Sequence, residues 1–211
     1  MKNVDDLIAS ATDLAERGLS KGEIADELNV SRETASWLVE RGDASAAAES
    51  RPAPTGGPED IHVDWSAIGR DSARLSHAGA AMADLLSKEG TAVDLTVGVE
   101  KAGVPLATTV ARELDTDMST YAPSKHQWDD GDGTGKGGGF SRNFADIRDR
   151  ECYVIDDTIT SGTTMTETVE AVRAHGGEPV ACGVLVDKQG LDDIEGVPVY
   201  SLVQVIRVGD E

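Results

Sequence analysis

The sequence predicts an α/β fold, a mostly parallel sheet with helices on both faces, preceded by a small all-helical domain. Three observations carry this. From about residue 61 short apolar runs alternate with amphipathic stretches, the pattern of parallel strands joined by helices. One of these units, Cys152-Tyr-Val-Ile-Asp-Asp-Thr-Ile-Thr-Ser-Gly-Thr-Thr164, joins a buried-strand run to a helix through a small polar loop. Residues 1–42 show only helical periodicity, and an Ala-, Pro- and Gly-rich stretch at 43–60 sets them apart. The expected division is therefore a head at 1–42, a linker at 43–60 and an α/β domain at 61–211.

In the head, Val4, Leu7, Ile8, Ala11, Leu14 and Ala15 fall on one helical face. Gly18 ends that helix. Ser20-Lys-Gly-Glu23 is a capping box that opens a second helix, with Ile24, Ala25 and Leu28 inward. Asn29 and Val30 make a corner, where Asn tolerates a left-handed backbone. Ser31 caps a third helix carrying Thr34, Ala35, Leu38 and Val39.

In the α/β domain, Ala73, Leu75, Ala78, Ala81, Met82, Leu85 and Leu86 predict a helix over roughly 70–88. A strand at Asp94–Val99 and a helix at 104–114 follow. A strand at Met118–Ala122 leads into a polar loop from Pro123 to Asp146. After the Cys152–Thr164 unit, Met165, Val169 and Val172 share a helical face. Val180–Val186 and Val197–Val205 supply the last strands. In such sheets ligands sit outside the carboxyl ends of the strands, where the acids and hydroxyls of Asp156–Thr164 fall.

That segment carries the chemistry. Tyr153, Val154 and Ile155 end in two carboxylates, Asp156 and Asp157. Then come Thr158, Thr160, Ser161, Gly162, Thr163 and Thr164 at the mouth of a helix. Backbone N–H groups and hydroxyls at a helix N-terminus attract an anion. The aspartates cannot bind phosphate themselves; they suit neutral ribose hydroxyls or a divalent cation. No Gly-Lys-Ser/Thr is present, so this is not a Walker loop. Two acids and five hydroxyls within nine positions exceed what an ordinary helix cap needs.

The segment resembles the ribose-phosphate signature of the type I phosphoribosyltransferases. That resemblance implies contacts from Asp156 and Asp157 to the ribose hydroxyls, and a 5′-phosphate held by Thr158, Thr160, Ser161, Gly162, Thr163 and Thr164. No cofactor is required, although Mg could arrive with a phosphoribosyl ligand through Asp156 and Asp157. About 55 residues earlier, Val97-Gly-Val-Glu-Lys-Ala-Gly-Val-Pro105 is a second strand–loop–helix unit. It resembles the diphosphate loop of orotate phosphoribosyltransferases, at Glu100, Lys101, Ala102 and Gly103. The loop from Pro123, with six glycines between 131 and 139, occupies the place of that family's catalytic loop. Several closely spaced cations are expected there. This chain offers Lys125, His126 and the distant Lys136, with Arg142 and four nearby acids, Asp129, Asp130, Asp132 and Asp146. Lys125 and His126 are the only catalytic candidates.

Lys21 to Leu38 resembles the helix-turn-helix of transcription regulators. The resemblance implies that the helix from Ser31 enters the major groove, presenting Ser31, Arg32, Glu33, Ser36 and Trp37 to DNA. Residues 1–42 hold five bases against nine acids, unlike a typical DNA binder. In molar salt, however, counterion release supplies little affinity, and base-edge and shape contacts carry more of it.

The whole chain has 211 residues with 19 Lys and Arg against 39 Asp and Glu, a net charge of −20, and only seven lysines. Such a surface stays hydrated in concentrated salt, which points to a halophile's cytoplasm. Cys152 and Cys182 lie in apolar runs and read as buried thiols. His62, His77 and His175 have no partners at metal-ligand spacing. Nothing resembles a signal peptide or a membrane span.

Head and domain together resemble the haloarchaeal transcription regulators of glucose and fructose catabolism, whose α/β domain is orotate-phosphoribosyltransferase-like. The resemblance implies a homodimeric, cytoplasmic DNA-binding regulator whose pocket senses a small phosphorylated metabolite. An active orotate or purine phosphoribosyltransferase, and a bifunctional enzyme-regulator, remain the alternatives.

Overall fold

The computed structural model describes residues 4–47, 60–124 and 138–206. They form two compact units, Met1–Trp65 and Ser66–Glu211.

The first unit is built on α1 (Val4–Glu16), α2 (Lys21–Glu27) and α3 (Arg32–Ala47). Gly18 ends α1 with φ at +86°, and Asn29 takes +52° at the corner between α2 and α3. The capping box at Ser20 is complete. Ser31 caps α3, its Oγ accepting the Thr34 N–H at 3.0 Å. α3 packs against both other helices around Leu7, Ala11, Leu14, Ile24, Ala25, Leu28, Val30, Ala35 and Leu38. Gly42 lies so close to α1 that a Cβ there would stand 2.0 Å from Thr12 Oγ1.

Two details differ from the sequence pattern. Val4, expected on the inward face, is 55% exposed, because it opens α1 nearly a turn before Leu7, the first buried side chain. α3 also continues to Ala47, into the stretch expected to be linker. Alanine favours helix, and no proline interrupts before Pro52.

The second unit begins with α4 (Ser66–Gly69) and α5 (Ser72–Glu89). Asp71 caps α5, accepting the Arg74 N–H at 2.9 Å. Then follow β1 (Leu95–Val99), α6 (Gly103–Leu114), β2 (Asp117–Ala122), β3 (Gly139–Phe140), β4 (Glu151–Ile159), α7 (Thr163–Ala174), β5 (Glu178–Asp187), β6 (Asp193–Ile194) and β7 (Val197–Gln204). The strands form one sheet in the order β3-β2-β1-β4-β5-β7-β6. β2, β1, β4, β5 and β7 run parallel, and the two-residue strands β3 and β6 pair antiparallel at the edges. β3, β6 and α4 are too short to carry a readable period, and sequence reasoning missed them.

β1 is buried throughout, as expected of a strand covered on both faces. Cys152 and Val154 of β4 face Met165, Val169 and Val172 of α7. Tyr153 faces the other way, its hydroxyl donating to the Leu86 carbonyl of α5 at 3.1 Å. α5 and α6 pack on each other there. Arg150 ties the amino ends of three strands, donating through Nη2 to the Asp94 carbonyl at 2.7 Å and Asp117 Oδ2 at 3.0 Å. Cys152 and Cys182 are fully buried, and burial pushes both thiols up to about 12. His175 bonds the Ala171 carbonyl at 2.8 Å and meets the Phe140 ring edge-on. Among the described residues no helix is long and apolar enough to cross a membrane.

Candidate functional site

β1 and β4 are neighbours, yet the connection from β1 leads to β2 on one side and that from β4 to β5 on the other. The strand order therefore reverses between them. Their carboxyl ends flank the crevice in which open α/β sheets bind ligands. Both sequence motifs end there.

The β4–α7 turn begins with Asp156 and Asp157, each no more than 9% exposed. Asp156 Oδ1 accepts the Asp157 N–H at 2.8 Å, and Asp157 Oδ2 accepts the Thr158 hydroxyl at 3.1 Å. These bonds hold both buried carboxylates at the carboxyl end of β4. Gly162, at φ +80°, turns the chain into α7 without a side-chain cap. The Ser161 and Thr163 hydroxyls stand 3.1 Å apart on the exposed rim of the turn. The first N–H groups of a helix have no intrahelical acceptor; here the Thr163 N–H makes a long bond of 3.4 Å to Ser161 Oγ. A turn with helix-start N–H groups, hydroxyls and the positive end of a helix can hold an anion.

The β1–α6 turn is built from backbone instead. Glu100 donates its N–H to the Tyr121 carbonyl at 2.8 Å and accepts the Thr120 hydroxyl at 3.3 Å. Lys101 is exposed. Gly103 opens α6 pressed against β4: a Cβ would lie 2.6 Å from the Ile155 carbonyl oxygen and 2.8 Å from Asp156 Cα. The two motifs, about 55 residues apart in sequence, thus meet at Gly103 and Asp156.

Two neighbours escaped sequence reasoning. Asp187, at the carboxyl end of β5, accepts the N–H groups of Gln189, Gly190 and Leu191 at 2.8, 3.0 and 2.8 Å. This folds the next loop toward the hydroxyl turn, where Gln189 Nε2 donates to the Thr160 carbonyl. Lys188, only 7% exposed, lies in the same loop. The run Val184-Leu-Val-Asp-Lys188 repeats the apolar-strand-then-acid pattern of β4, the signal that could have found it. The second neighbour is Glu167 on α7. It accepts the Tyr121 hydroxyl at 3.0 Å and the Ser124 N–H and hydroxyl at 2.8 and 3.1 Å. Burial, then the Glu167 bond and charge, raise the Tyr121 phenol above its ordinary value. Nothing local in the sequence marks this contact, which spans more than 40 residues.

The catalytic candidates Lys125 and His126 lie outside the described residues. Asp156 and Asp157 have the donor type for a divalent cation accompanying a ligand. Among the described residues no group of three or more His, Cys, Asp or Glu side chains could hold a metal alone.

In the first unit, Arg32 and Glu33 are exposed on the opening turn of α3, with the Arg32 guanidinium beside Gly22. Ser36 is engaged: Lys21 Nζ lies 2.5 Å from its Oγ, which donates to Glu40 Oε1 at 3.1 Å. Lys21 also bonds Glu40 at 3.0 Å and holds that carboxyl below its usual range. Trp37 packs on the helical core with the Arg41 guanidinium 5.1 Å from its ring centroid. Ser31 is the cap of the helix.

Comparison with known proteins agrees with this geometry. Residues 64–201 match the family model described as a phosphoribosyl transferase domain. The chain is 71% identical over 211 residues to the transcriptional regulator GfcR of Haloarcula marismortui, covering 100% of this chain and 99% of that one. It is 69% identical to the GfcR of Halorubrum lacusprofundi, with complete coverage of both. Among solved structures it is similar to orotate phosphoribosyltransferase from Aeropyrum pernix, at TM-score 0.56 and 20% identity over 71% of this chain and 81% of that one. It is also similar to adenine phosphoribosyltransferase from Thermoanaerobacter pseudethanolicus, at TM-score 0.55 and 17% identity over 72% and 91%. At these identities the two structures establish the fold alone.

Proposed function

The chain belongs to the phosphoribosyl transferase domain family and, over its full length, to the GfcR transcriptional regulators; from that premise we propose that it is a DNA-binding regulator of central sugar catabolism whose phosphoribosyl-type crevice senses a phosphorylated metabolite. The observation that carries this reading is the full-length identity to relatives named as regulators, which extends through the helical head as well as the α/β domain.

In this reading residues 1–42 are a helix-turn-helix domain, 43–60 a linker and 61–211 the sensing domain. Arg32 and Glu33, exposed at the start of α3, reach base edges, with Ser31, Ser36 and Trp37 completing that surface. Asp156 and Asp157 take the hydroxyls of the ligand's sugar, with Mg when the ligand carries it in. Thr158 and Thr160 to Thr164 take its phosphate, and Glu100 to Gly103 take a second phosphate where one is present. The protein works in the cytoplasm as a homodimer, matching the two-fold symmetry usual in such regulators.

The same chain is a poor transferase. Stabilising a departing diphosphate needs cations where charge develops, and one such donor is often worth about 10²–10³ in rate. Lys125, His126 and Lys136 stand among four acids in the segment available for that role. Turnover of phosphoribosyl pyrophosphate with orotate or a purine is expected to be absent or very slow.

Genome-wide DNA occupancy of the full chain, in cells grown with and without sugar, tests the regulator. The expected result is a small set of sites near genes of sugar catabolism whose occupancy changes with the carbon source. Occupancy without sequence preference, together with robust nucleotide formation in molar salt and Mg²⁺, would replace the regulator with an enzyme.

A further inference from the structure

α2 and α3 open on the same pattern and are completed differently. Before α2, Ser20 and Glu23 serve each other: the Ser20 N–H donates to Glu23 Oε2 at 2.8 Å, and the Glu23 N–H to Ser20 Oγ at 3.3 Å. Before α3 only half of the device is local. The Thr34 N–H reaches Ser31 Oγ at 3.0 Å, but Thr34 has no carboxylate to take the Ser31 N–H. Asp60 supplies it from 29 residues further on, with Oδ2 2.5 Å from the Ser31 nitrogen. Its other oxygen accepts the Ile61 N–H at 2.8 Å, so two backbone donors fix the carboxylate at the head of α3.

We infer that Asp60 is an internal competitor for a DNA phosphate, a carboxylate that occupies the amino end of α3 until the operator displaces it. The inference rests on the reading of α3 as the helix that enters DNA. The N–H groups at a helix start, with the positive end of its dipole, are common partners of DNA phosphates. One donor cannot serve a carboxylate and a phosphate together, and the two anions repel. At about 1 M salt the screening length is about 3 Å, so charge acts only at contact range, and Asp60 is at contact range.

The test uses the full chain and a short duplex that the wild type enriches from a random-sequence pool in molar KCl. Asp60→Asn removes the charge, and adding Thr34→Gln completes a neutral capping box within α3. The double variant is expected to unfold at the wild-type temperature or above and to bind the duplex about two- to fivefold tighter. In the wild type the Ser31 amide resonance should move when the duplex is added, as its acceptor changes. An ordinary structural cap gives the opposite pattern: Asp60→Asn lowers melting temperature and affinity together, and Thr34→Gln returns both to wild type. Binding by the double variant no tighter than wild type, or a Ser31 amide that stays put, overturns the inference alone. If the wild type enriches no duplex, the reading of α3 fails first and takes the inference with it.

Discussion

Two strand-to-helix turns meet at the carboxyl edge of the sheet, and they are made of different material. The β4–α7 turn is side-chain chemistry: two buried carboxylates, five hydroxyls and a left-handed glycine that opens the helix to solvent. The β1–α6 turn is backbone chemistry: Gly103, buried, seats α6 directly on the Ile155 carbonyl and Asp156. The first can be altered without moving the fold, because an exchange of one polar group for another of its size presses nothing against the main chain. The second cannot gain one carbon without displacing β4. A pocket assembled from one replaceable turn and one fixed turn can change what it binds, and whether it reacts, while keeping its shape.

The comparison breaks most decisively at Gly103. Gly103→Ala should cost about 3 kcal/mol or more, because the new methyl meets main-chain atoms that cannot rotate away. Thermal unfolding in molar KCl reads this as a large drop in melting temperature, and a change within error would show that α6 sits less tightly than described. On the other turn, the double replacement Asp156→Asn, Asp157→Asn should leave melting temperature nearly unchanged. It should remove metabolite binding, at about 1.5–3 kcal/mol for each charged hydrogen bond lost. Isothermal titration with phosphoribosyl pyrophosphate and with sugar phosphates, alongside DNA binding, checks it: basal DNA affinity stays and the response to metabolite goes. A mutant that still responds would make the crevice a relic.

Glu167 sharpens the contrast at a smaller scale. Glu167→Ala leaves the Tyr121 hydroxyl and the Ser124 N–H without their acceptor and should cost about 1–3 kcal/mol, with Glu167→Gln milder. The raised Tyr121 phenol adds a pH signature. Its folded value lies above its unfolded value of about 10, so its contribution is complete below that pH and is lost as the pH climbs beyond it. Denaturant midpoints should therefore fall on the alkaline side, and Tyr121→Phe should flatten that fall. An equal slope in both proteins would detach the effect from Tyr121.

The long elements were legible because each carries a full period. Met82 and Leu86 on α5, Val97 and Val99 on β1, and Val169 and Val172 on α7 are all buried where the pattern put them. So were the left-handed corner at Asn29 and the capping box at Ser20, which are local rules. Contacts between distant residues with no local mark were not legible. Asp60 at Ser31, Glu167 at Tyr121, and Gly103 against Asp156 depend on how the chain returns to itself. The site was half visible for the same reason. Its two turns were each recognisable, but their meeting belongs to the sheet order. β3, β6 and the extra turn of α3 were missed because two residues hold no period and alanine holds no punctuation.

The place of β1 in the sheet has a consequence for synthesis. Leu95 pairs with Asp117 on one side and with Cys152 on the other. The first partner is made soon after β1. The second leaves the ribosome roughly three to eleven seconds later at ordinary elongation rates of about 5–20 residues per second. The helical head, whose contacts are local, is complete before β1 exists. During the wait the edge of β1 that will take β4 is unpaired, and Leu95, Val97 and Val99 lack the α7 side chains they share a core with, the state in which growing chains stick to one another. A chain of net charge −20 meets that interval with a hydrated, strongly charged surface on every neighbouring copy it encounters. The surplus of aspartate and glutamate thus protects the protein while it is being made as well as when it is finished.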